Sequence, residues 1–238
     1  MEPGPVHRHY RVLLLVLTFS TGIIDGICYL GLDQVFTANM TGNVLILGMG
    51  LAGGQHVPTA GPLVALLAYV VGAAIAGYAF RNQRAGWSAT TTGLFAGVGV
   101  GVLAASSVAA LVGSPSRWHL LVVVAVLGTS MGIQAATARH LSVKDLTTVV
   151  VTSTLTGLAA DYFQDTRGRE AWVRRVSAVV ALASGAAVGA LLLRGGLEVA
   201  LVVPGVIALG TALVGERYRR ADRRAADGAA DGPAGRAA

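Results

Sequence analysis

The stretch Phe36-Thr-Ala-Asn-Met-Thr-Gly-Asn43 interrupts two apolar segments of the chain. It brings two asparagines, two threonines and a glycine into a strongly apolar sequence, and the apolar residues Val44–Ala52 follow it. Polar side chains are costly to keep inside a hydrophobic protein, so they usually mark a site rather than a packing surface. We therefore expect the regular structure to break here and a functional site to lie at the break.

The composition indicates a membrane protein. The chain has 238 residues, of which 54% are hydrophobic and 13% are charged, and its mean hydropathy is +0.65. Three long segments, Gln34–Phe80, Ala85–Ser116 and Trp118–Ala138, contain no Asp, Glu, Lys or Arg. A transmembrane helix needs about 20 apolar residues, so each segment can hold at least one. This pattern excludes an ordinary soluble domain.

We predict an all-α membrane protein with about six transmembrane helices plus two re-entrant or broken half-helices. The predicted spans are about 12–32, 62–80, 89–112, 119–138, 176–193 and 197–214. Two further segments, 34–54 and 146–160, mix polar and apolar residues. The apolar part of 34–54 suits a half-helix better than a full crossing. The positive-inside rule favours entry and return of both segments on the same side, because a true crossing by 34–54 would move Arg81 and Arg84 outside.

The net charge of +6 comes from arginines at the ends of apolar runs and near the C-terminus. With two re-entrant segments, nearly all basic clusters fall on one side, and only Arg117 and Arg194 fall on the other. The positive-inside rule then predicts that the protein lies in a cytoplasmic membrane and that both termini are on its cytoplasmic side. The predicted parts are a cytoplasmic segment 1–11, membrane repeats 12–112 and 118–214, and a basic, disordered tail 215–238.

The two halves of the chain resemble each other. Gly22-Ile-Ile-Asp25 compares with Gly132-Ile-Gln134, and the Phe36–Asn43 stretch compares with Thr147–Thr154. With three spans in each half, the second half must be inverted relative to the first. Inverted repeats with broken helices are typical of transporters whose site lies near the middle of the membrane.

Asp25 is the strongest candidate for function, because an intramembrane carboxylate is costly unless it is paired, hydrated or protonated. No Lys or Arg lies in the apolar part of any span, so its expected partners are Asn39, Asn43, Gln134, or a coupling cation or proton. A half-helix also presents unpaired N–H groups that can hold an anion or a carbonyl-rich solute. The candidate binding or coupling residues are Asp25, Asn39, Thr41, Asn43, Gln134, Thr148 and Thr152.

Each polar candidate also has a structural interpretation. Thr and Ser often bond to carbonyls of their own helix, and Asn can join helices. Gln134 is equally well explained as a hydrogen bond between helices or as part of the site. Cys28 is the single cysteine, which excludes an internal disulfide and a multi-cysteine metal site. No clustered histidines, phosphate loop or catalytic set is evident, so we expect no metal, no cofactor and no enzymatic activity.

At these motifs the chain resembles the YoaK-like family of small bacterial integral membrane proteins, which is assigned to a domain of unknown function. The resemblance covers roughly 17–214 and rests on Gly22-x-x-Asp25, Phe36–Asn43, Gly132-Ile-Gln134 and the Thr147–Thr152 run. The Met-Thr-Gly-Asn block after the Asp-bearing helix is its most specific part. The resemblance implies a membrane protein and supplies no substrate.

The leading hypothesis is a small-solute or ion transporter in which Asp25 couples transport to a proton or cation. Asn39, Thr41 and Asn43 are the expected solute contacts. The alternatives are a passive channel and a non-transporting membrane scaffold or accessory subunit. The expected partners are the lipid bilayer and an unknown small solute or ion, without nucleic acid, and a homo-oligomer is left open.

Overall fold

The computed structural model describes residues 5–84, 86–111, 116–141, 156 and 167–230. These residues form helices and loops and contain no strand. The helices are α1 (Pro5–Gly31), α2 (Met40–Leu51), α3 (Ala60–Phe80), α4 (Ala89–Leu111), α5 (Arg117–His140), α6 (Arg167–Leu192) and α7 (Leu197–Ala230), with a 3₁₀ turn at Leu193–Gly195. The prediction of an all-α protein is confirmed.

Six of these helices are long and apolar enough to cross a membrane. Their candidate spans are His9–Gly31, Ala60–Phe80, Ala89–Leu111, Arg117–His140, Trp172–Gly195 and Leu197–Ala225. The prediction of about six transmembrane helices is therefore confirmed. The short apolar helix α2 occupies the first predicted half-helix, whereas the second predicted half-helix, 146–160, lies outside the described residues apart from residue 156.

The predicted disordered tail requires a correction, because α7 continues through its first part to Ala230. Glu216 forms ion pairs with Arg219 and Arg220, at spacings of three and four residues. Such pairs lie on one face of a helix and stabilise it. In the sequence these residues stand out only as a basic run, so the helix was not predicted.

The break after α1 is a left-handed turn. Asp33 and Gln34 have φ angles of 60° and 57°, which no α-helix can accommodate. The chain then brings the buried Val35 against Gly61, at the start of α3. The segment between Val35 and Gly61, which contains α2, therefore begins and ends at the same end of the helix bundle, as expected of a re-entrant segment.

The long helices pack in pairs that join the two halves of the sequence. The closest pairs are α1 with α6, α3 with α5, and α4 with α7. Small residues allow these approaches: a side chain at Gly22 would collide with the backbone of Leu182, and one at Gly132 would collide with the backbone of Tyr69. Close backbone contact at glycine is typical of packing between membrane helices.

Contacts at the helix termini define two ends of the bundle. At the first end, the hydroxyl of Tyr10 donates to Oδ2 of Asp222 over 3.1 Å, and the ring of Tyr10 stacks on Trp87. We call this the basic end, because its described residues include Arg81, Arg84, Arg139, Arg217 and Arg220. At the opposite end, the Ser106 hydroxyl donates to the carbonyl of Glu198 over 2.6 Å.

Candidate functional site

A cavity of about 580 Å³ lies beside the break in the chain. It is bounded by α1, by the loop that precedes α2, by the first turns of α2 and by α6. Its lining residues are Gly22, Asp25, Gly26, Tyr29, Leu30, Phe36, Ala38, Asn39, Thr41, Gly42, Leu45, Leu182 and Ala186. The volume falls within the range of about 300–1,000 Å³ that is usual for small-molecule sites.

Asp25 lines this cavity and accepts hydrogen bonds from the loop that precedes α2. Its Oδ1 accepts hydrogen bonds from the backbone N–H groups of Thr37 and Ala38, each over 2.9 Å. The Thr37 hydroxyl donates to the same oxygen over 3.3 Å. None of these donors is a side chain of the expected partners Asn39, Asn43 and Gln134. Asp25 therefore lies directly before the N-terminus of α2 and is half-buried.

This position changes the expected chemistry of the half-helix. We expected the N-terminus of α2 to offer free N–H groups and its positive dipole end to an anion. Instead, the carboxyl group of Asp25 already receives the N–H groups of Thr37 and Ala38, the two residues ahead of the capping residue Asn39. An anionic solute would have to displace this group from the protein's own hydrogen bonds.

Asn39 and Thr41 lie at the cavity as predicted. Asn39 is the N-cap of α2, and its Oδ1 accepts from the backbone N–H of Gly42 over 3.2 Å. This is the usual way in which an asparagine satisfies one of the unpaired N–H groups at a helix start. Both Asn39 and Thr41 are exposed and line the cavity. The structure thus brings Asp25, Asn39 and Thr41 together.

Asn43 lies apart from the cavity lining and is fully buried. Its Oδ1 accepts from the N–H of Phe36 over 3.0 Å, and its Nδ2 donates to the carbonyl of the same residue over 2.6 Å. Both ends of the amide are therefore occupied by one peptide segment. In this structure Asn43 fixes the shape of the break.

Gln134 also lies away from the cavity and is buried. Its Nε2 donates to Oγ1 of Thr21 over 2.8 Å, and that hydroxyl donates to the carbonyl of Leu17 over 2.9 Å. Of the two interpretations of Gln134, the structure shows the hydrogen bond between helices, here α5 and α1. Thr148 and Thr152 lie outside the described residues.

Several residues of this site were not predicted from the sequence. Tyr29 lines the cavity and stacks on Phe36, with 4.8 Å between the ring centroids. Tyr29 follows Asp25 by one helical turn, so helical spacing could have identified it. Leu182 and Ala186 come from α6, far along the sequence. No local pattern in the sequence indicates their position here.

The six candidate spans and the polar break define a polytopic α-helical membrane protein with a cavity beside a broken segment. Residues 13–214 match the family model described as a protein of unknown function (DUF1275), and the chain belongs to this family. It is similar to the UPF0700 transmembrane protein YoaK of Bacillus subtilis (strain 168), with 32% identity over 154 residues. The match covers 64% of this chain and 67% of that relative. The resemblance to the YoaK-like family is thereby confirmed. No solved structure matches the chain.

Proposed function

We propose that the protein is a secondary transporter for a small solute in the bacterial cytoplasmic membrane, with Asp25 as the residue that couples transport to a proton or cation. The observation that carries this proposal is the position of Asp25. It is the charged residue among the described residues of the cavity wall, and it also accepts from the N–H groups of Thr37 and Ala38 before α2. The carboxyl group of Asp25 therefore links binding in the cavity to the conformation of the segment Phe36–Asn43.

The link has a simple physical basis. N–H groups form stronger hydrogen bonds with a carboxylate than with a neutral carboxyl group. A proton or cation that binds Asp25 therefore weakens its hold on Thr37 and Ala38. The segment Phe36–Asn43 then gains freedom to move, and the occupied and empty cavities favour different conformations. Such a difference is what a coupled transporter requires.

The helix contacts support an internal two-fold relation between the halves. In the first half, Gly22 of α1 meets the backbone of Leu182 and Ala186 in α6. In the second half, Gly132 of α5 meets the backbone of Tyr69 and Ala73 in α3. Gly22 and Gly132 are the residues that the sequence comparison aligned. The pair α1 and α6 thus corresponds to the pair α5 and α3.

The central pair α4 and α7 is consistent with the same relation. Gly99 of α4 lies against Leu209 of α7, and Gly205 of α7 lies against Leu103 of α4. The two contacts are equivalent when the helices are exchanged. A two-fold axis between α4 and α7 accounts for both. This supports the prediction of two repeats.

The helix directions support inversion of the second repeat. Helix α1 begins at the basic end, where Tyr10 meets Asp222 near the end of α7. Helix α5 ends at the basic end, where the imidazole of His140 hydrogen-bonds the backbone carbonyl oxygen of Arg84, over 3.2 Å. Equivalent helices therefore run in opposite directions. Inverted repeats around a broken segment are a common architecture of secondary transporters.

The distribution of charge supports a cytoplasmic basic end. Arg117, at the start of α5, and Arg194, near the start of α7, lie at the opposite end. The positive-inside rule then puts both described chain ends in the cytoplasm. The cavity involves the last turns of α1 and so lies toward the non-cytoplasmic half.

The test measures uptake of each solute in a panel of metabolites together with proton movement, in proteoliposomes that enclose a pH-sensitive dye. Asp25→Asn retains an oxygen that can accept from Thr37 and Ala38 but removes the titratable group. Asp33→Asn is the matched control, because Asp33 is exposed with φ of 60°, a conformation that asparagine tolerates.

We expect solute-dependent proton movement with the wild type and with Asp33→Asn, and none with Asp25→Asn. Solute flux without proton movement in the wild type, unchanged in Asp25→Asn, would instead indicate the passive channel. If no solute in the panel moves with any folded variant, the scaffold alternative is favoured.

A further inference from the structure

The wall of the cavity carries charge of one sign. Among its described lining residues, Asp25 is the acidic side chain, and there is no Lys, Arg or His. The other polar side chains are Tyr29, Asn39 and Thr41, which are neutral. A cleft lined by one sign of charge between apolar walls concentrates solutes of the opposite charge. The formal charge of the wall therefore favours a cation.

The hydrogen-bond donors at the start of α2 point to the same conclusion. The N–H groups of Thr37 and Ala38 donate to Asp25, and the N–H of Gly42 donates to Asn39. Gly42 lies in the first turn of α2, where N–H groups can bind an anion, and Thr37 and Ala38 lie directly before that turn. With these donors engaged by the protein, the cavity favours a solute that brings donors of its own.

The remaining wall suits an apolar body. Leu30, Leu45 and Leu182 line the cavity together with the stacked rings of Tyr29 and Phe36. Aliphatic side chains favour contact with hydrocarbon, and aromatic rings attract a cation placed over their face. The same wall therefore combines apolar area, aromatic rings and a carboxyl group.

From these observations we infer that the solute is a small organic cation with a protonated amine and an apolar body. The amine donates to Asp25 and to the hydroxyl of Thr41, and the apolar body lies against the leucines and the aromatic pair. This inference rests on the proposed function, because it assigns the solute of that transport. An ammonium group and a proton then compete for Asp25, which makes the transport an exchange of amine for proton.

Binding is tested with n-butylammonium, butyramide and butyrate, three four-carbon probes that differ in charge. Each is titrated into the full-length protein in lipid nanodiscs at constant ionic strength, with empty nanodiscs as the blank. Calorimetry measures affinity and thermal unfolding measures stabilisation. We expect n-butylammonium to bind at least tenfold more tightly than butyramide, and butyrate to give no signal, because a hydrogen bond to a charged group is the stronger kind.

The variants locate the binding. Asp25→Asn should weaken n-butylammonium binding tenfold or more while the folded protein remains intact by size-exclusion chromatography, and Asp33→Asn should leave it unchanged. If Asp25→Asn does not fold, Thr41→Val provides the second test, with a loss of several-fold expected. Equal affinity for butyrate, absence of n-butylammonium binding, or unaltered binding in Thr41→Val and Asp25→Asn contradicts the inference.

The test separates this inference from the proposed function. Charge preference is read from equilibrium binding, whereas coupling is read from proton movement in proteoliposomes. Proton-coupled uptake of a neutral or anionic solute would leave the transporter proposal intact and overturn the solute class. Amine binding without any flux would leave the solute class intact and overturn the transporter proposal.

Discussion

Asp25 and Asn43 replace the main-chain hydrogen bonds that the chain loses between α1 and α2. Within a membrane an irregular backbone must be satisfied by the protein itself, because no bulk water is available. Asp25 accepts from the N–H groups of Thr37 and Ala38, and Asn43 pairs with both the N–H and the carbonyl of Phe36. Two side chains thus satisfy four backbone groups. The polar residues of this stretch are therefore explained first by the need to satisfy backbone groups that the break leaves without partners.

Replacement of Asn43 by alanine should therefore destabilise the protein strongly. Asn43→Ala leaves the N–H and carbonyl of Phe36 without their side-chain partners, and each unsatisfied buried group costs about 1–3 kcal/mol. We expect a loss of about 2–5 kcal/mol, measured as the unfolding free energy in detergent. The matched control is Asn39→Ala, which removes an exposed helix cap and should cost about 1 kcal/mol. Equal losses in the two variants would contradict the role of Asn43.

The sequence located this site but not the task of each residue. The polar stretch at Phe36–Asn43 and the carboxylate at Asp25 were both evident. The sequence did not show that Asn39 lines the cavity whereas Asn43 is buried beside it. The partner of Asn43 is the backbone of Phe36, and this pairing depends on the fold of the loop. Likewise, the partner of Gln134 is Thr21 on another helix. Pairings of this kind depend on tertiary structure and leave no local pattern.

Among the helices, α7 is the one whose structure departs most from prediction. Beyond Val214 it ties the basic end together: Glu216 accepts from the hydroxyl of Thr92 over 3.0 Å, and that hydroxyl accepts from Nε1 of Trp87, also over 3.0 Å. Tyr10 at the start of α1 donates to Asp222. The helical extension therefore connects the starts of α1 and α4. The composition indicated a disordered basic segment. The contacts that order it join distant parts of the chain, so composition could not reveal them.

This connection depends on the small size of Gly215. A side chain at that position would overlap the indole ring of Trp87. We expect Gly215→Ala to lower the unfolding free energy by about 1–3 kcal/mol, the usual cost of overpacking. Gly210→Ala is the control on the same helix, because a methyl group there would meet no atom within 4 Å. It should be neutral or stabilising by up to about 1 kcal/mol, since alanine is the better helix former. Thermal unfolding of both variants distinguishes them, and similar behaviour would refute the contact.

At the scale of the whole molecule, hydropathy predicted the spans but not their neighbours. In α3, exposed residues such as Leu67 and Val70 are as apolar as the buried Ala65 and Ala76. Lipid is as apolar as the interior of the bundle, so hydrophobicity cannot tell which face packs against α5. The glycines are the remaining indication of which helix face packs against another helix. Gly72 approaches the backbone of Thr129, and Gly185 that of Phe19, but the sequence does not say which helix each glycine meets.

The re-entrant path of α2 leads to the final prediction, which concerns the topology of the whole chain. Helix α2 has 12 residues and is about 18 Å long at about 1.5 Å per residue, well short of the roughly 30 Å hydrocarbon core. Asp33, exposed before α2, and Gln55, exposed between α2 and α3, should therefore share a membrane side, with Arg84 on the opposite side beyond α3. A true crossing by this segment would instead put Asp33 and Gln55 on opposite sides and make α3 parallel to α1.

Single-cysteine labelling in intact bacterial cells tests this topology. Replacement of the buried Cys28 by alanine gives a cysteine-free background, into which Asp33→Cys, Gln55→Cys and Arg84→Cys are introduced separately. We expect a membrane-impermeant maleimide to label Asp33→Cys and Gln55→Cys in intact cells and Arg84→Cys only after permeabilisation. Labelling of only one of Asp33→Cys and Gln55→Cys in intact cells would rule out the re-entrant path. It would also remove the inversion of the repeats, because the second half would then begin on the same side as the first.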